Sequence, residues 1–383
     1  MRVLHVIGTL EPQAGHQLRT LVRRLPYDNE IVALSPGGVA PDEVPVHRII
    51  GVRDHDAAVV RHLRQLIRDG RYDLVHTHLY QANVQGRVAA RLAGTRHVIA
   101  TEHRLDAVAR PLYLATERLG GITIAGSAAI ADRLRAWGVP QRRITTIPKA
   151  IDTAEYRYDP QLRATTRARL GVATGVPVIG GVGRFDPDKR FDLLIRAVAE
   201  VPGAVLLLVG DGPARADLER LAVIEGVADR VLFPGAVARP REMYCAMDVF
   251  ASPGRASFGL AALEAVAAGL PTVYGSCEPL TATAVPGTHR LSHDRESLPR
   301  ALRTELLCLA ERHGARLEAR SAGDRYDADH VAAAVGSLYE RIAPRPGRRF
   351  IAPLMAYRGR FGLFGRFGRK SSFPLPGGSV RNA

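Results

Sequence analysis

Short apolar runs alternate with amphipathic segments along the first 150 residues of the chain. Runs rich in β-branched residues predict buried strands, and apolar side chains at helical spacing predict the helices between them. The predicted strands are Val3–Gly8, Glu30–Leu34, Val46–Ile50, Leu74–His76, Val98–Thr101, Ile122–Ala125 and Ile144–Ile147. The predicted helices are Gly15–Leu25, Ala57–Ile67, Gln81–Leu92 and a segment that runs from an N-cap at Ser127 to Trp137.

The same alternation restarts after residues 151–175, a polar and charge-rich stretch that predicts a linker. The predicted strands of the second half are Val176–Gly181, Ala204–Val209, Val231–Phe233, Val249–Ala251 and Pro271–Tyr274. The predicted helices are Arg190–Ala199, Ala214–Glu225, Arg241–Met247, Phe258–Ala268 and a final one over Asp327–Ile342.

Strands that alternate with helices form right-handed βαβ units and parallel sheets. We therefore predict an α/β protein with two doubly wound, Rossmann-like domains, over residues 1–150 and 176–326. Open α/β sheets bind ligands at the carboxyl ends of their strands. A cleft between two such sheets is the expected ligand site.

Composition places the excess positive charge at one end of the chain. The 383 residues carry a net charge of +15, and the segment from Arg341 to Ala383 supplies ten Lys and Arg with no acidic residue. Three scattered cysteines without a CxxC spacing argue against a disulfide framework and a zinc site. No run approaches the roughly 18 to 20 apolar residues of a membrane span. These features predict a cytoplasmic protein.

Three glycine-bearing segments of the second half suggest phosphate chemistry. Residues 181–190 (GVGRFDPDKR) combine a glycine turn with Arg184 and Lys189, which suits a diphosphate, although an ordinary surface turn is the simpler interpretation of this segment alone. Residues 209–213 (VGDGP) favour a plain strand-to-helix turn. Residues 252–271 predict a helix that begins near Ser257 and carries Glu264 in apolar surroundings. A complete GxGxxG fingerprint, a P-loop and a GxSxG elbow are absent from the sequence.

Five segments follow one another along the second half of the chain: GRFDPDKRFDLLIRAV, LLLVGDGP, VLFPGAV, AMDVFASP and SFGLAALEAVAAGLPTV. In this order they resemble the C-terminal half of glycosyltransferase family 4. The first half resembles the family more loosely, through MRVLHVIGTL, YDLVHTHLYQANVQGRVAARLAG, VIATEH and IPKAID. The resemblance covers about Met1 to Ala343. It implies the GT-B architecture, in which residues 327–343 would cross back onto the N-terminal, acceptor-side domain.

The resemblance also implies roles for matching residues. Arg184 and Lys189 would bind the donor diphosphate, and His103 would lie near the transferred sugar. Glu264 would hydrogen-bond the donor ribose, and the stretch from Gly235 to Val237 would pack against the base. The full implied donor-binding set is Gly183, Gly235, Val237, Ser257, Phe258, Gly259, Leu260 and Glu264. His76 and His78 are weaker candidates, and we expect both to be structural hydrogen-bonding residues.

The implied reaction moves a sugar from a nucleoside-diphosphate sugar to an acceptor with retention at the anomeric carbon. Fixed cations would stabilise the charge that develops on the β-phosphate, so neither a metal nor another cofactor is expected. Asp186-Pro187-Asp188 has a DxD spacing, but it lies inside the predicted phosphate turn.

Some positions depart from the family pattern. Ala256 replaces the first acid of the E-x7-E motif, Pro12-Gln13 replaces a glycine pair and Gly15 a common acid, and residues 275–279 lack a second glycine pair. These departures raise a second hypothesis, a weakly active or inactive homologue that binds nucleotide sugar, although the retained Arg184, Lys189 and Glu264 favour a divergent but active enzyme. A different GT-B enzyme, such as a sugar-nucleotide epimerase, is a third alternative that the SFGLAALEA segment disfavours.

The tail, residues 344–383, interleaves basic, aromatic and glycine residues, most densely over residues 345–370. This pattern is typical of three roles. In order of preference, they are peripheral contact with an anionic membrane surface, a disordered extension without a partner, and binding of single-stranded nucleic acid. A lipid-linked acceptor in envelope polysaccharide or glycolipid synthesis would suit membrane contact. Natural-product glycosylation is the alternative setting for this activity.

Overall fold

A computed structural model describes residues 1–10, 12–36, 44–49, 57–103, 110–237, 240–255, 258–292, 296–312, 315–318 and 322–343. Strands and helices alternate along both halves of these ranges. The predicted tail, Ser257 and Ala256 lie outside the described residues. The α/β class that the hydrophobic pattern predicts is confirmed.

The first half of the chain forms a seven-stranded parallel sheet. Its strands are β1 (Arg2–Ile7), β2 (Asp28–Ala33), β3 (Val46–Arg48), β4 (Leu74–His78), β5 (Val98–Glu102), β6 (Ile122–Ala125) and β7 (Ile144–Thr146). They lie in the order β3-β2-β1-β4-β5-β6-β7. The order reverses between β1 and β4, and such a reversal leaves a crevice at the carboxyl ends of the two strands.

The second half forms a six-stranded parallel sheet. Its strands are β8 (Val178–Val182), β9 (Val205–Val209), β10 (Val231–Gly235), β11 (Val249–Ser252), β12 (Thr272–Tyr274) and β13 (Thr288–Arg290). They lie in the order β10-β9-β8-β11-β12-β13, so the strand order reverses between β8 and β11. Each half therefore has its own doubly wound topology, as predicted.

The helices between and after the strands complete both layers. They are α1 (Pro12–Val22), α2 (Ala57–Gly70), α3 (Tyr80–Ala93), α4 (Arg110–Glu117), α5 (Ala128–Ala136), α6 (Pro160–Arg169), α7 (Phe191–Ala199), α8 (Arg215–Ile224), α9 (Pro240–Ala246), α10 (Leu260–Ala267), α11 (Glu278–Ala282), α12 (Ser297–Glu311) and α13 (Ala328–Ile342). The predicted N-cap of α5 is confirmed, because the backbone N–H of Ile130 donates to Ser127 Oγ over 3.3 Å.

The hydrophobic pattern missed several elements and misplaced one helix start. Helices α4, α6, α11 and α12 and strand β13 were not predicted. Helix α10 begins at Leu260 and not near Ser257 or Phe258. Its N-cap, Gly259, has a φ of 94°, which is a left-handed and non-helical conformation. A residue in this left-handed conformation cannot continue a helix towards the N-terminus.

Helix α6 lies inside the stretch predicted to be a linker and is held by a buried ion-pair cluster. Its N-cap, Asp159, accepts from two backbone N–H groups, and Pro160 follows in the first turn. Arg163 and Arg167 each bond the carboxylate of Asp248 over 2.6 Å. Asp248 also accepts from the N–H of Val178 at the start of β8. The polar composition that suggested a linker therefore reflects a helix that packs through arginines.

The last helix completes the core of the first sheet. Val331, Val335 and Leu338 of α13 belong to one buried cluster with Val3 and Leu74 of the central strands. An isolated parallel bridge joins Ile151 and Asp327, where the chain leaves the first half and where it returns. The predicted return of this segment to the N-terminal half is confirmed.

Candidate active site

Three candidate segments follow strands at the carboxyl edges of the two sheets. Gly183 and Arg184 follow β8, and Pro253, Gly254 and Arg255 follow β11, the strand on the other side of the reversal in the second sheet. His103 directly follows β5 of the first sheet. The topology thus places the predicted residues where open α/β sheets bind ligands.

The predicted phosphate turn is anchored by a buried aromatic residue. Phe185 is fully buried, its ring lies 5.4 Å from that of Phe191, and its N–H donates to the carbonyl of Asp211. Arg184 beside it keeps a 60% exposed side chain and donates from Nε to Asp186 over 3.0 Å. The turn is therefore fixed by its core contacts while the guanidinium of Arg184 faces solvent.

Lys189 joins this turn to the loop after β11. Its ammonium donates to the carbonyl of Arg255 over 3.3 Å, and the N–H of Arg255 donates to the carbonyl of Asp188 over 2.9 Å. The two segments that the sequence places more than sixty residues apart therefore touch. Phe258, Gly259 and Leu260 continue this loop into α10, whose first backbone N–H groups form a positive dipole end.

Glu264 lies on the second turn of α10 and is held by tyrosines. Tyr244 Oη donates to Glu264 Oε2 over 2.6 Å, and Tyr156 also bonds this carboxylate. Burial raises the pKa of Glu264, and the two tyrosine hydroxyls oppose that rise. Tyr156 in turn reaches His16 of α1 over 3.5 Å. A polar chain therefore runs from α10 to the first half of the molecule, and the sequence interpretation missed its two tyrosines and His16.

His103 faces this region from the first sheet. Its Nδ1 atom is buried and has no hydrogen-bond partner within the described ranges. Burial and the positive charge of Lys149 lower the pKa of His103 to about 3. The Lys149 ammonium also lies 5.9 Å from the centre of the Phe258 ring. Lys149, which the sequence interpretation did not single out, thus connects His103 with the loop that precedes α10.

Glu102, next to His103, is a buried carboxyl group on the opposite face of β5. Asn83 donates to its Oε1 over 2.6 Å, while its Oε2 has no partner among the described residues. Burial raises the pKa of Glu102 to about 7, against the opposing effects of Asn83, Arg87 and Tyr113. The carboxyl edge of the first sheet therefore carries a group that titrates near neutrality.

His5, His76 and His78 form a buried hydrogen-bonded cluster on β1 and β4. Asn29 donates through Nδ2 to backbone carbonyls, so its Oδ1 accepts from His5 Nε2 over 3.2 Å. His5 Nδ1 must then accept from His78 Nε2, 3.1 Å away. His76 bonds the hydroxyls of Tyr339 and Thr101. His76 and His78 are therefore hydrogen-bonded, as expected, and a purely structural role for both stays a prediction.

The same cluster has a geometry that a metal ion could use. One nitrogen from each of the three imidazoles lies within 4.8 Å of the others. The His5 and His78 nitrogens already satisfy each other, and both nitrogens of His76 bond hydroxyl groups. The hydrogen bonds account for this arrangement without an ion, and the expectation of a metal-independent enzyme stays a prediction.

The remaining predicted residues lie further along the second sheet. Gly235 ends β10 with a φ of 84°, and Val237 packs at the edge of the core beneath β8 and α10. The structure brings Lys189 together with Arg255, and it brings Lys149 near both Phe258 and His103. Arg184 lies on the same turn as Lys189, whereas Gly235 and Val237 lie beyond β9.

Two doubly wound parallel sheets with cation-bearing loops at their carboxyl edges match the GT-B architecture. The family model described as Glycosyltransferase Family 4 matches residues 12–155, and the model described as Glycosyl transferases group 1 matches residues 176–312. A D-inositol 3-phosphate glycosyltransferase from Xylanimonas cellulosilytica is 31% identical, with 72% of this chain and 74% of that protein covered. The chain belongs to glycosyltransferase family 4.

Two further similarities agree with this assignment. A 2-deoxystreptamine glucosyltransferase from Streptomyces kanamyceticus is 29% identical, with 75% of this chain and 82% of that protein covered. The structure of Anabaena HepE in complex with UDP and glucose matches with a TM-score of 0.75 at 20% identity, over 89% of this chain and all of that one. Among the described helices, none is long and apolar enough to cross a membrane.

Proposed function

We propose that this glycosyltransferase transfers a sugar from a nucleoside-diphosphate sugar to an acceptor with retention at the anomeric carbon. The observation that carries the proposal is the contact between the Lys189 turn and the loop that enters α10. This contact gathers a lysine, an arginine and a helix N-terminus at one carboxyl edge. The complex of HepE with UDP and glucose supports a nucleotide sugar as donor.

In this proposal, the donor diphosphate binds between Arg184, Lys189 and the backbone N–H groups at Gly259 and Leu260. Cleavage of the bond between the anomeric carbon and the β-phosphate oxygen leaves negative charge on the diphosphate. Fixed cations and the helix dipole stabilise this charge more in the transition state than in the ground state. The acceptor oxygen then bonds the anomeric carbon from the same face, and its proton passes to the departing phosphate.

His103 contributes to this scheme as a neutral group. With its pKa lowered to about 3, the imidazole carries no charge at neutral pH. It would therefore hydrogen-bond the transferred sugar as an uncharged partner. Glu264 would accept hydrogen bonds from the ribose hydroxyls beside those from Tyr244 and Tyr156.

The acceptor and cellular setting are part of the proposal. The two relatives act on 2-deoxystreptamine and D-inositol 3-phosphate by name, which supports a small polyhydroxylated ring as acceptor in natural-product or glycolipid synthesis. The basic tail supports a cytoplasmic protein that contacts anionic membrane and a lipid-linked acceptor. Both acceptor classes belong in the first assay.

The test is a donor screen with purified protein. Nucleoside-diphosphate release is followed from UDP-, GDP- and ADP-sugars, with 2-deoxystreptamine, inositol 3-phosphate or membrane extract as acceptor. We expect one donor to react, and Arg184→Ala to lower kcat/KM by about 100- to 1000-fold because a fixed charge on the leaving group is lost. Arg220→Ala, which removes an exposed arginine from α8 of the same half, should leave kcat/KM unchanged.

Further arms of the screen test the remaining parts of the proposal. Proton NMR of the product should show the anomeric configuration of the donor, and EDTA should leave the rate unchanged. An inverted product would contradict retention, and loss of activity in EDTA would contradict metal independence. Measurable nucleotide binding without turnover of any donor would favour the inactive homologue that Ala256 suggests.

A further inference from the structure

Tyr156 lies in the segment between β7 and α6, where the chain passes from the first half to the second, and it is 2% exposed. It belongs to the same buried cluster as Leu260 of α10. Its ring lies 5.8 Å from that of Tyr244, at an interplanar angle of 74°. Because buried tyrosine hydroxyls usually have a hydrogen-bond partner, the role of this side chain depends on what its hydroxyl bonds.

The Tyr156 hydroxyl has partners in both halves of the molecule. It bonds the carboxylate of Glu264 on α10, and it lies 3.5 Å from Nε2 of His16 on α1. A tyrosine hydroxyl carries one proton, and an ionised carboxylate can only accept. With Glu264 ionised, Tyr156 therefore donates to Glu264 and accepts from His16 Nε2. A directed chain of hydrogen bonds thus runs from α1 to α10.

Helix α1 is fixed to the segment that carries Tyr156 by further contacts. The side-chain amide of Gln17 donates to the carbonyl of Ala150 over 2.9 Å and accepts from its N–H over 3.2 Å. His16 Nε2 also lies 3.8 Å from the carboxylate of Glu155. Two adjacent residues of α1 therefore hold both ends of the stretch that spans residues 150–156.

The carboxylate of Glu264 keeps acceptor capacity after it bonds the tyrosines. Its two oxygens offer about four lone-pair sites. Tyr244 occupies one on Oε2 over 2.6 Å, and Tyr156 occupies another. About two sites are then left, which matches the adjacent 2′- and 3′-hydroxyl groups of a ribose. The two tyrosines restrict the rotation of the carboxylate and so direct these free sites.

We infer that Tyr156 is a positioning residue, which orients the Glu264 carboxylate for the donor ribose and is itself held by His16 from the first half. This inference rests on the proposed function, because it takes the ribose as the ligand of Glu264. Its consequence is that recognition of the ribose depends on α1, a helix of the opposite half.

The experiment compares the wild-type protein with Tyr156→Phe, which removes the hydroxyl and keeps the ring. Calorimetry gives the Kd of the diphosphate that the wild type binds best among UDP, GDP and ADP, and of its 2′-deoxy and 3′-deoxy forms. The readout is the ratio of the deoxy Kd to the ribose Kd within each variant, because partial unfolding changes both values alike. Thermal midpoints are measured in parallel. Tyr72→Phe is the matched control, since the Tyr72 hydroxyl bonds a different carboxylate, Glu30, over 2.6 Å.

We expect the wild type to bind the ribose form about 10- to 100-fold more tightly than a deoxy form, because the deoxy form lacks a hydrogen bond to a charged group. Tyr156→Phe should lower this ratio by about 3- to 10-fold, because the carboxylate is free to turn away from the ribose. Tyr72→Phe should leave the ratio unchanged.

Variants of His16 test the link to α1. His16→Leu should lower the ratio in the same direction as Tyr156→Phe. His16→Gln should restore it, because the amide of glutamine can donate in place of Nε2. Addition of His16→Leu to Tyr156→Phe should cause no further loss, because the hydroxyl through which His16 acts is already absent.

An unchanged ratio in Tyr156→Phe would overturn the inference, even if the thermal midpoint falls, and would make Tyr156 a core residue only. Losses that add in the double variant would overturn the link through His16. A wild type that binds ribose and deoxy forms equally would overturn the inference and the ribose role of Glu264, while sugar transfer in the donor screen would leave the proposed reaction intact. A wild type that binds none of the diphosphates would overturn both.

Discussion

At the scale of single residues, the site depends on a close approach between two loops. A Cβ atom added at Gly254 would lie 2.2 Å from the carbonyl oxygen of Asp188 and 2.3 Å from the carbonyl carbon of Lys189. These contacts are with backbone, so no side-chain rotation can relieve them. Glycine at this position therefore allows the loop after β11 to lie against the turn that carries Lys189.

Gly254→Ala should push these loops apart and move Lys189 away from α10. We expect kcat/KM to fall by at least about tenfold, with a loss of about 1–3 kcal/mol in the free energy of unfolding. The measurements are nucleoside-diphosphate release and denaturant unfolding. Gly336→Ala is the matched control, because the nearest atom to its new Cβ is the Tyr27 hydroxyl at 3.4 Å and alanine favours the helix. An unchanged kcat/KM in Gly254→Ala would argue against this contact as part of the site.

Functional residues differ at this scale in how visible they are in the sequence. Arg184, Lys189 and Glu264 lie in segments whose order along the chain resembles the family, so the sequence alone proposes them as candidates. Lys149 lies in IPKAID, a segment that resembles the family but implies no role for this residue, and Tyr156 lies in the predicted linker with no signal of its own. Their positions depend on which loops meet in the fold, and hydrophobic periodicity does not carry that information.

At the scale of elements, strands β1 and β4 pair in a register that sets His5 opposite His76. His78 follows two residues later on the same face, and Tyr339 of α13 covers the group. Burial lowers the pKa of His5 to about 4 and holds the pKa values of His76 and His78 well below the ordinary 6.5. The folded cluster therefore remains neutral at pH values where the unfolded chain is protonated.

Because the folded pKa values are lower than the unfolded ones, the unfolded state binds more protons as pH falls below about 6.5. The free energy of unfolding should therefore fall between pH 7 and pH 5. Urea unfolding across this range measures the slope. His5→Gln should reduce it by up to about 1.4 kcal/mol per pH unit, the value for one proton. The exposed His62→Gln is the matched control. A slope in His5→Gln equal to that of the wild type would contradict the neutral cluster.

Glu102 has the opposite dependence. Its folded pKa is raised to about 7, so the stability linked to its protonated form is present below its ordinary pKa and is lost as pH rises through 7. The two dependences overlap between pH 4.5 and 6.5, where the three histidines outweigh the single carboxyl group, so the net slope keeps the sign of the histidine cluster. Both arise because parallel strands are buried on two faces, where charged side chains lose their hydration.

At the scale of the whole molecule, the last described helix, α13, packs on the sheet that the first half of the chain forms. Helix α13 supplies Val335, Leu338 and Tyr339 to the core of the first sheet, more than 300 residues from β1. His16 and Tyr156 form a second connection, over 3.5 Å. Core contacts of α13 and this polar contact therefore join the beginning of the chain to its later segments.

The basic tail supplies the prediction at this scale. A chain that ends at Ala343 loses nine Lys and Arg residues but keeps every residue whose contacts are described above. We expect the full chain to sediment with vesicles that contain phosphatidylglycerol at low salt, because each basic residue contributes about 1 kcal/mol near an anionic surface. The truncated chain should stay in the supernatant, and neither chain should sediment with vesicles of pure phosphatidylcholine. Equal sedimentation of the two chains would remove the membrane role of the tail.

By itself, the sequence determined the α/β class, the two doubly wound halves, most strands and the residues that carry the family resemblance. These follow from local periodicity and from the order of motifs, which a linear chain displays directly. The tertiary structure alone decided that the predicted linker contains a helix bound to Asp248, that α10 begins at Leu260 and that Lys149 lies between His103 and Phe258. Such features depend on which distant segments touch, because burial and charge pairing arise only when the chain has folded.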